Sequence, residues 1–246
     1  MNVDTMKLTI LYYASIICIT VSICSCSNYL KSDGRVYKRY ANESVGIGKN
    51  EIPQADYASF RSFDSRLAVD KNHVFYRTRI LEGADAATFA PVAEYYFKDK
   101  SYVYFFGFGN GQEFVIKDAD PASFNISKYP WSRDSMNVFW GRKKLIPKPS
   151  LNFKPLNQAW AKDENRIYYA NSIVDSADSK TFKIINKGYA RDRKHVFYEG
   201  KIIPDCRPSE FIALNFANGH DHKYFYSGAE RNGELTPDQL KHFRFK

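Results

Sequence analysis

The sequence predicts a mainly β protein built from about seven repeats of 29 residues. Internal periodicity of this length is typical of repeat architectures. One recurring residue is Phe, at Phe60, Phe89, Phe124, Phe153, Phe182 and Phe211, with Leu240 in the next position. The other is Asp, at Asp70, Asp99, Asp134, Asp163, Asp192 and Asp221. The chain holds 19 Phe and 18 Tyr in 246 residues. Such aromatic content favours strands with large packed faces.

Each repeat begins with a turn and continues as a strand. Asp192 of the sixth repeat suits the first position of a type I turn, because its carboxylate accepts nearby backbone N–H groups. Four residues later comes Val196-Phe197-Tyr198, a β-branched residue followed by two aromatics, which is strong strand chemistry. Successive strand residues face opposite sides, so one aromatic side chain enters a core while its neighbour packs elsewhere.

A hairpin return and one helical turn complete the repeat. Short polar loops lead into apolar return strands, from Glu199–Lys201 into Ile202-Ile203 and from Arg142–Lys144 into Leu145-Ile146. Four residues before the Phe position stand the helix N-cap candidates Asp56, Asp85, Asp120, Asp178 and Thr236. The fourth and sixth repeats depart from this pattern, with Pro149 and Arg207 in the N-cap position.

The predicted architecture is a stack of antiparallel β-hairpin repeats with single helical turns between them. One repeat cannot bury its aromatic face alone and must pack on its neighbours. The repeat is shorter than the propeller repeats of about 40 residues, so we favour a solenoid-like stack over a closed β-propeller, which is the alternative.

Two segments share the same pair of sub-motifs at a fixed separation. They are Asp70-Lys71-Asn72-His73-Val74-Phe75-Tyr76 with Ile80 to Phe89 after it, and Asp163 to Tyr169 with Ser176 to Phe182 after it. Both resemble the DKNYY repeat family of bacterial proteins. The resemblance covers roughly residues 31–246. It implies a repeat protein that is often secreted or lipid-anchored, and it supplies no catalytic residue.

An insertion in the third repeat is the candidate binding loop. Asp99 and Asp134 lie 35 residues apart, and the extra residues include Phe106, Phe108, Asn110 and Gly111. Asn-Gly between apolar runs predicts a projecting hairpin. Insertions in repeat proteins often lie on the binding face. Neutral drift in a surface loop explains the insertion equally well.

The first 25 residues predict a lipoprotein signal peptide. Lys7 precedes an apolar run from Leu8 to Ile23, the layout of a secretory signal. Ile23, Ser25 and Cys26 resemble the lipobox of bacterial lipoproteins, which implies acylation, including palmitate, at Cys26 and attachment to a membrane. Ser27 after Cys26 favours the outer membrane. Residues 26–32 are then the anchor linker, and residues 33–246 the repeat domain. A plain cleaved signal is the alternative.

The remaining composition limits the chemistry. Cys18 and Cys24 lie in the signal and Cys26 is the expected acylation site, which leaves Cys206 alone and excludes an internal disulfide. The net charge of +9 favours anionic partners, although the charges are scattered along the sequence. The group His220, Asp221, His222 and His242 is a weak metal candidate, since Asp221 already serves the turn. We expect no metal, no cofactor and no nucleic-acid partner.

The favoured interpretation is a non-catalytic, lipid-anchored protein of the cell envelope that binds a protein or an anionic glycan. One alternative is an enzyme with an unrecognised cleft near His220, His222 or Cys206. Another is an immunity-like or inhibitory factor. In all three, the regularly spaced aromatics and acids are expected to be scaffold.

Overall fold

The computed structural model describes residues 28–42, 46–107, 114–146 and 148–244. The chain divides into two compact units, Met1–Val103 and Tyr104–Lys246. In both units the described residues form small antiparallel sheets, seven in all, in which strands adjacent in sequence pair with each other. The predicted mainly β repeat architecture is therefore confirmed.

The first unit contains one three-stranded sheet and one four-stranded sheet, and a third sheet follows at its end. The first sheet is β1 (Tyr29–Ser32), β2 (Arg35–Asn42) and β3 (Gly46–Glu51). The second sheet is β4 (Arg61–Ser62), β5 (Leu67–Val69), β6 (Val74–Tyr76) and β7 (Arg79–Ile80). The third is β8 (Ala90–Ala93), β9 (Tyr96–Lys98) and β10 (Val103–Phe105). Strand β1 lies in the segment that the sequence assigned to an anchor linker, and it pairs with β2 along its whole length.

The second unit contains four sheets of four strands each. The first two are β11 (Asn125–Lys128), β12 (Trp131–Arg133), β13 (Val138–Trp140), β14 (Lys143–Lys144), and β15 (Lys154–Pro155), β16 (Trp160–Lys162), β17 (Ile167–Tyr169), β18 (Ser172–Ile173). The next two are β19 (Lys183–Ile184), β20 (Tyr189–Arg191), β21 (Val196–Tyr198), β22 (Lys201–Ile202), and β23 (Ile212–Ala213), β24 (Asn218–His220), β25 (Tyr224–Ser227), β26 (Glu230–Glu234).

Five of the seven sheets are therefore four-stranded meanders where the sequence predicted a two-stranded hairpin. The predicted hairpin is present, since Phe197 pairs with Ile202 in the sixth repeat. The strand before Asp192 also pairs, with Ala190 opposite Phe197. A further pair of residues after the Phe position adds the outer strand. These added strands are only two or three residues long, too short to show alternating polarity in the sequence.

The core consists of the predicted aromatic and apolar positions. The fifth residue after each recurring Asp is an aromatic that is fully buried, at Phe75, Tyr104, Phe139, Tyr168, Phe197 and Tyr226. Neighbouring sheets pack on one another through these residues. Trp160 and Ile167 share a cluster with Phe182 and Phe197 of the next sheet. This is the contact between repeats that a stack of hairpins requires.

The return strand of the fourth repeat begins earlier than predicted. The sequence places Leu145-Ile146 in this strand, whereas the structure pairs Lys143 and Lys144 with β13. Leu145 is buried, but Ile146 is 75% exposed. The prediction was wrong because it took the two apolar residues as the strand pair. Lys144 in fact occupies the position that Ile202 holds in the sixth repeat, opposite the buried Phe.

The helical turns form as predicted at most repeats. The N–H of Phe182 donates to the carbonyl of Asp178 at 3.0 Å, which closes one α-type turn. The last repeat differs, because the helix α1 (Pro237–Arg244) extends beyond one turn. Its N-terminus is a capping box, in which Thr236 and Gln239 each accept the other's backbone N–H. Within the described residues no helix is long and apolar enough to span a membrane.

Candidate functional site

The recurring Asp residues bind the backbone of their own scaffold. Oδ1 of Asp192 accepts the N–H groups of Lys194 and His195, at 2.7 and 2.6 Å. Its Oδ2 accepts the N–H of Asp178, the capping residue 14 positions earlier, at 2.9 Å. One buried carboxylate thus ties the helical turn to the start of the hairpin. The same arrangement recurs at Asp70, Asp99, Asp134, Asp163 and Asp221.

Three of these carboxylates, Asp134, Asp163 and Asp221, are held in the ionised form. Burial raises the pKa of Asp134, but hydrogen bonds from the backbone N–H groups of Asp120, Met136 and Asn137 lower it by more. The net effect is a pKa below the ordinary value. The pKa of Asp163 and of Asp221 is lowered by the same balance. A carboxylate with a low pKa and occupied oxygens is a poor general acid or base at neutral pH. The expectation that these acids are scaffold agrees with this geometry.

A second set of polar groups completes the junction between turn and hairpin. At the junction that leads into the third repeat, Oδ1 of Asp85 accepts hydrogen bonds from both the N–H and the hydroxyl of Thr88. The Thr88 hydroxyl oxygen in turn accepts the N–H of Lys100, the residue after Asp99. Equivalent hydroxyls of Ser59, Ser123 and Thr181 accept the same backbone N–H in their repeats. The sequence predicted the capping residue but not the role of this hydroxyl, although a Ser or Thr stands directly before the recurring Phe in four repeats.

The candidate enzymatic residues near the C-terminus lie in a buried network. Burial raises the pKa of the Cys206 thiol to about 12, which keeps it protonated at neutral pH. The Tyr226 hydroxyl donates to Asp221 Oδ2 at 3.0 Å. His220 is buried, burial lowers its pKa, and its ring centroid lies 5.1 Å from that of His222. Among the described residues no group of three or more His, Cys, Asp or Glu side chains is arranged to hold a metal ion.

The predicted binding loop is only partly described. Phe108, Asn110 and Gly111 lie outside the described residues, as does Cys26. Phe106 is 3% exposed, and its ring centroid lies 4.5 Å from that of Phe114. Phe106 is therefore a packing residue with little surface left for a ligand.

Positive charge gathers in a groove that the sequence did not predict. This basic groove has a volume of about 430 Å³ and is lined by Val115, Lys117, Asp118, Arg142, Lys143, Lys144 and Ile146. Its four cations face one carboxylate, so its net charge is +3. Lys117 and Lys143 are exposed to solvent.

The groove arises from a departure at one position of the repeat. Lys144 occupies the place of Ile80, Ile173 and Ile202, the residue opposite the buried Phe or Tyr in other repeats. Its ammonium pairs with Asp118 Oδ2 in the preceding turn. That hydrogen bond, and then the positive charges of Lys144 and Lys117, lower the pKa of Asp118. The pair keeps Lys144 at the surface.

Sequence reasoning missed the groove because its parts lie far apart in the chain. Lys117 stands 25 residues before Arg142, and only the pairing of β13 with β14 fixes which face Lys143 presents. The available sequence indication was Arg142-Lys143-Lys144 itself, in a hairpin return where other repeats have at most two adjacent charges.

Comparison with known proteins supports the repeat assignment. A family model described as the DKNYY family matches residues 2–108 and 160–245. Comparisons with curated proteins and with solved structures each found no match. The match covers most of the sequence and includes the turn and strand motifs of the scaffold. On this basis the chain belongs to the DKNYY family.

Proposed function

We propose that this chain is a non-catalytic, lipid-anchored protein of the cell envelope that binds an anionic glycan through the basic groove. The observation that carries the proposal is the concentration of four cations around one carboxylate in a concave surface. Clefts lined by one sign of charge focus the electrostatic field and attract ligands of opposite charge.

The chemistry of the groove suits a repeating polyanion. Lys117 and Lys143 are solvent-exposed, whereas Lys144 is held by Asp118. Arg142 adds a planar guanidinium, which binds carboxylate, sulfate or phosphate oxygens in pairs. Ile146 contributes an apolar surface at the edge. A sugar polymer with charged substituents presents both kinds of surface.

The scaffold supports the non-catalytic part of the proposal. The oxygens of the recurring acids accept hydrogen bonds from backbone N–H groups, each within its own pair of repeats. The one cysteine among the described residues carries a protonated, buried thiol, which is a weak nucleophile.

Binding is tested on the full chain in detergent micelles, with heparin as the probe glycan at low salt. We expect the double variant Lys117→Gln/Lys143→Gln to bind heparin about five- to tenfold more weakly, since each exposed charge contributes roughly 0.5–0.7 kcal/mol and a factor of ten corresponds to about 1.4 kcal/mol. The matched control is Lys201→Gln, because Lys201 pairs with Tyr198 as Lys143 pairs with Trp140. Equal losses in both variants, or no binding by the parent chain, would contradict the proposal.

The anchor is tested separately. Incorporation of radioactive palmitate in cells that express the chain should label the parent and fail to label Cys26→Ala. Membrane fractionation then reports whether the acylated protein resides in the outer membrane. Labelling of both chains, or of neither, would remove the anchor from the proposal and leave the glycan result unaffected.

A further inference from the structure

A second pocket lies in the fourth repeat, at the turn that begins with Asp134. Its volume is about 220 Å³. Arg133, Lys148, Ser150 and Leu151 line it together with the turn residues. None of these four residues lines the basic groove.

The fifth and sixth repeats show how these positions are normally occupied. The basic residue before the recurring Asp donates to a carbonyl 17 residues later. Lys162 Nζ reaches the carbonyl of Ser179 at 3.4 Å, and an Arg191 guanidinium nitrogen reaches that of Pro208 at 2.6 Å. Arg133 holds the same position in the fourth repeat. It is exposed, and its guanidinium makes no hydrogen bond or ion pair to any residue that the structure describes.

Ser150 departs from its counterpart in the same way. In the fifth repeat the equivalent Ser179 donates its hydroxyl to the carbonyl of Glu164 at 2.8 Å. Ser150 Oγ is buried and has no hydrogen-bond partner among the described residues. A buried hydroxyl without a partner costs on the order of 1–3 kcal/mol. Its presence therefore requires an explanation.

The cause of both departures is Pro149. In other repeats this position is the capping residue, whose N–H binds Oδ2 of the next recurring Asp. Proline has no N–H, so the backbone N–H of Ser150 replaces it and donates to Asp163 Oδ2 at 3.1 Å. The helical turn consequently shifts by one residue, and the contacts that would occupy Arg133 and the Ser150 hydroxyl are not made.

We propose that this pocket binds a tetrahedral oxyanion, a phosphate or sulfate group. The Arg133 guanidinium and the Lys148 ammonium supply the charge, and the Ser150 hydroxyl donates a hydrogen bond to one oxygen. The Asp134 carboxylate also borders the pocket. Its oxygens already accept three backbone N–H groups and the side-chain amide of Asn137. Its charge is thus largely compensated.

The rim of the pocket indicates what carries the oxyanion. Leu151 is 96% exposed and Met136 is 64% exposed, and both line the pocket. A ligand with an apolar body next to its charged group would cover these side chains. A phosphate from solution and a phosphate headgroup of a lipid share the chemistry of the pocket, and only the lipid uses the rim.

The first experiment titrates inorganic phosphate into the full chain in detergent micelles, at low ionic strength, by isothermal calorimetry. Loss of a charge-assisted hydrogen bond predicts that Arg133→Gln weakens binding roughly tenfold or more. Ser150→Ala should weaken it severalfold. The matched controls are Lys194→Gln, an exposed cation outside both sites, and Ser179→Ala, the equivalent serine of the fifth repeat. Both controls should bind phosphate as the parent does.

A restoring variant tests the cause without changing the charge of the pocket lining, to which Pro149 belongs. Pro149→Asn reinstates a backbone N–H and a neutral capping side chain, so we expect it to fold at least as well as the parent and to lose phosphate binding. Retained binding in Pro149→Asn, or equal losses in Arg133→Gln and Lys194→Gln, would overturn the proposal.

The source of the oxyanion is resolved by sedimentation with phosphatidylcholine vesicles that contain or lack phosphatidate. Binding to phosphatidate vesicles that is lost in Arg133→Gln and in Leu151→Ser assigns a lipid headgroup. Phosphate binding without vesicle binding assigns a soluble ligand. Because Lys117 and Lys143 lie outside this pocket, the variant Lys117→Gln/Lys143→Gln should bind phosphate normally even if the glycan proposal fails.

Discussion

The carboxylate of Asp192 should contribute more to stability than an ordinary turn residue does. The residue is 4% exposed, and its carboxylate accepts three backbone N–H groups, from Lys194, His195 and Asp178. Hydrogen bonds to a charged acceptor are each worth about 1.5–3 kcal/mol, and three that share one group do not add fully. We therefore expect Asp192→Ala to lower the free energy of unfolding by about 4 kcal/mol.

Urea denaturation followed by circular dichroism measures this change. Asp192→Asn retains one acceptor oxygen and places an amide N–H₂ against a backbone donor, so it should lose about half as much as Asp192→Ala. The control is Asp175→Ala, since Asp175 is exposed and does not have a positive φ. Its urea midpoint should match the parent's. A loss below about 1 kcal/mol for Asp192→Ala, or equal midpoints for Asp192→Ala and Asp175→Ala, would refute the role assigned to the recurring acids.

Three further measurements test the core and the buried groups. The pKa values of Asp134 and Asp163 are lowered on folding, so their stabilisation is complete above about pH 4 and is lost as the pH falls through the folded values. Urea midpoints should accordingly fall as the pH is lowered from 4, and midpoints that rise would contradict this. Cys206, with its pKa raised to about 12, should react with a thiol reagent at pH 8 only after unfolding, and fast labelling of the native chain would contradict its burial. Gly219→Ala places a methyl group 2.4 Å from the Phe211 ring, and overpacking of this kind costs about 1–3 kcal/mol, so an unchanged urea midpoint would contradict that contact.

The fold was predictable because its determinants are local and repeated. The turn acid, the strand of Val196-Phe197-Tyr198 and the capping residues each act over a few positions of sequence. The outer strands were not predictable, because two-residue strands such as Lys183–Ile184 are defined by pairing alone. The second oxygen of each recurring Asp was also missed. Its partner lies 13 residues earlier at Asp163 and 14 residues earlier at the others, and no local pattern connects the two.

The candidate sites were harder to predict than the fold. The insertion around Asn110 was predicted as a binding loop because it breaks the 29-residue period. The basic groove and the second pocket arise from substitutions that leave this period unchanged. Lys144 replaces an Ile and Pro149 replaces an Asp without any change of spacing. Their effect depends on which contacts the other repeats make at the same position. That information comes only from the structure.

The fourth repeat tolerates the loss of its cap because Tyr168 stabilises the junction from the other side. The Tyr168 hydroxyl donates to Asp163 Oδ2 at 2.7 Å, the oxygen that the shifted Ser150 N–H also binds. The sixth repeat has lost its cap to Arg207, and Tyr226 makes the equivalent bond there to Asp221. Where Asp178 is the cap, the same core position is Phe197. The third repeat has Tyr104 beside a capping Asp85, so tyrosine is compatible with either arrangement.

This compensation predicts a coupling between two substitutions in the fourth repeat. Tyr168→Phe alone should lower the free energy of unfolding by about 1.5 kcal/mol, because a buried carboxylate oxygen loses a donor. In the Pro149→Asp background the restored N–H occupies that oxygen, as the Asp178 N–H does at Asp192. The same Tyr168→Phe change should then cost at least 0.5 kcal/mol less, within the usual range for residues of one network, of about 0.5–3 kcal/mol. Urea denaturation of the four chains of the cycle measures the difference. Strict additivity would mean that Tyr168 is an ordinary core aromatic, and that some other contact allowed Pro149 to replace the cap.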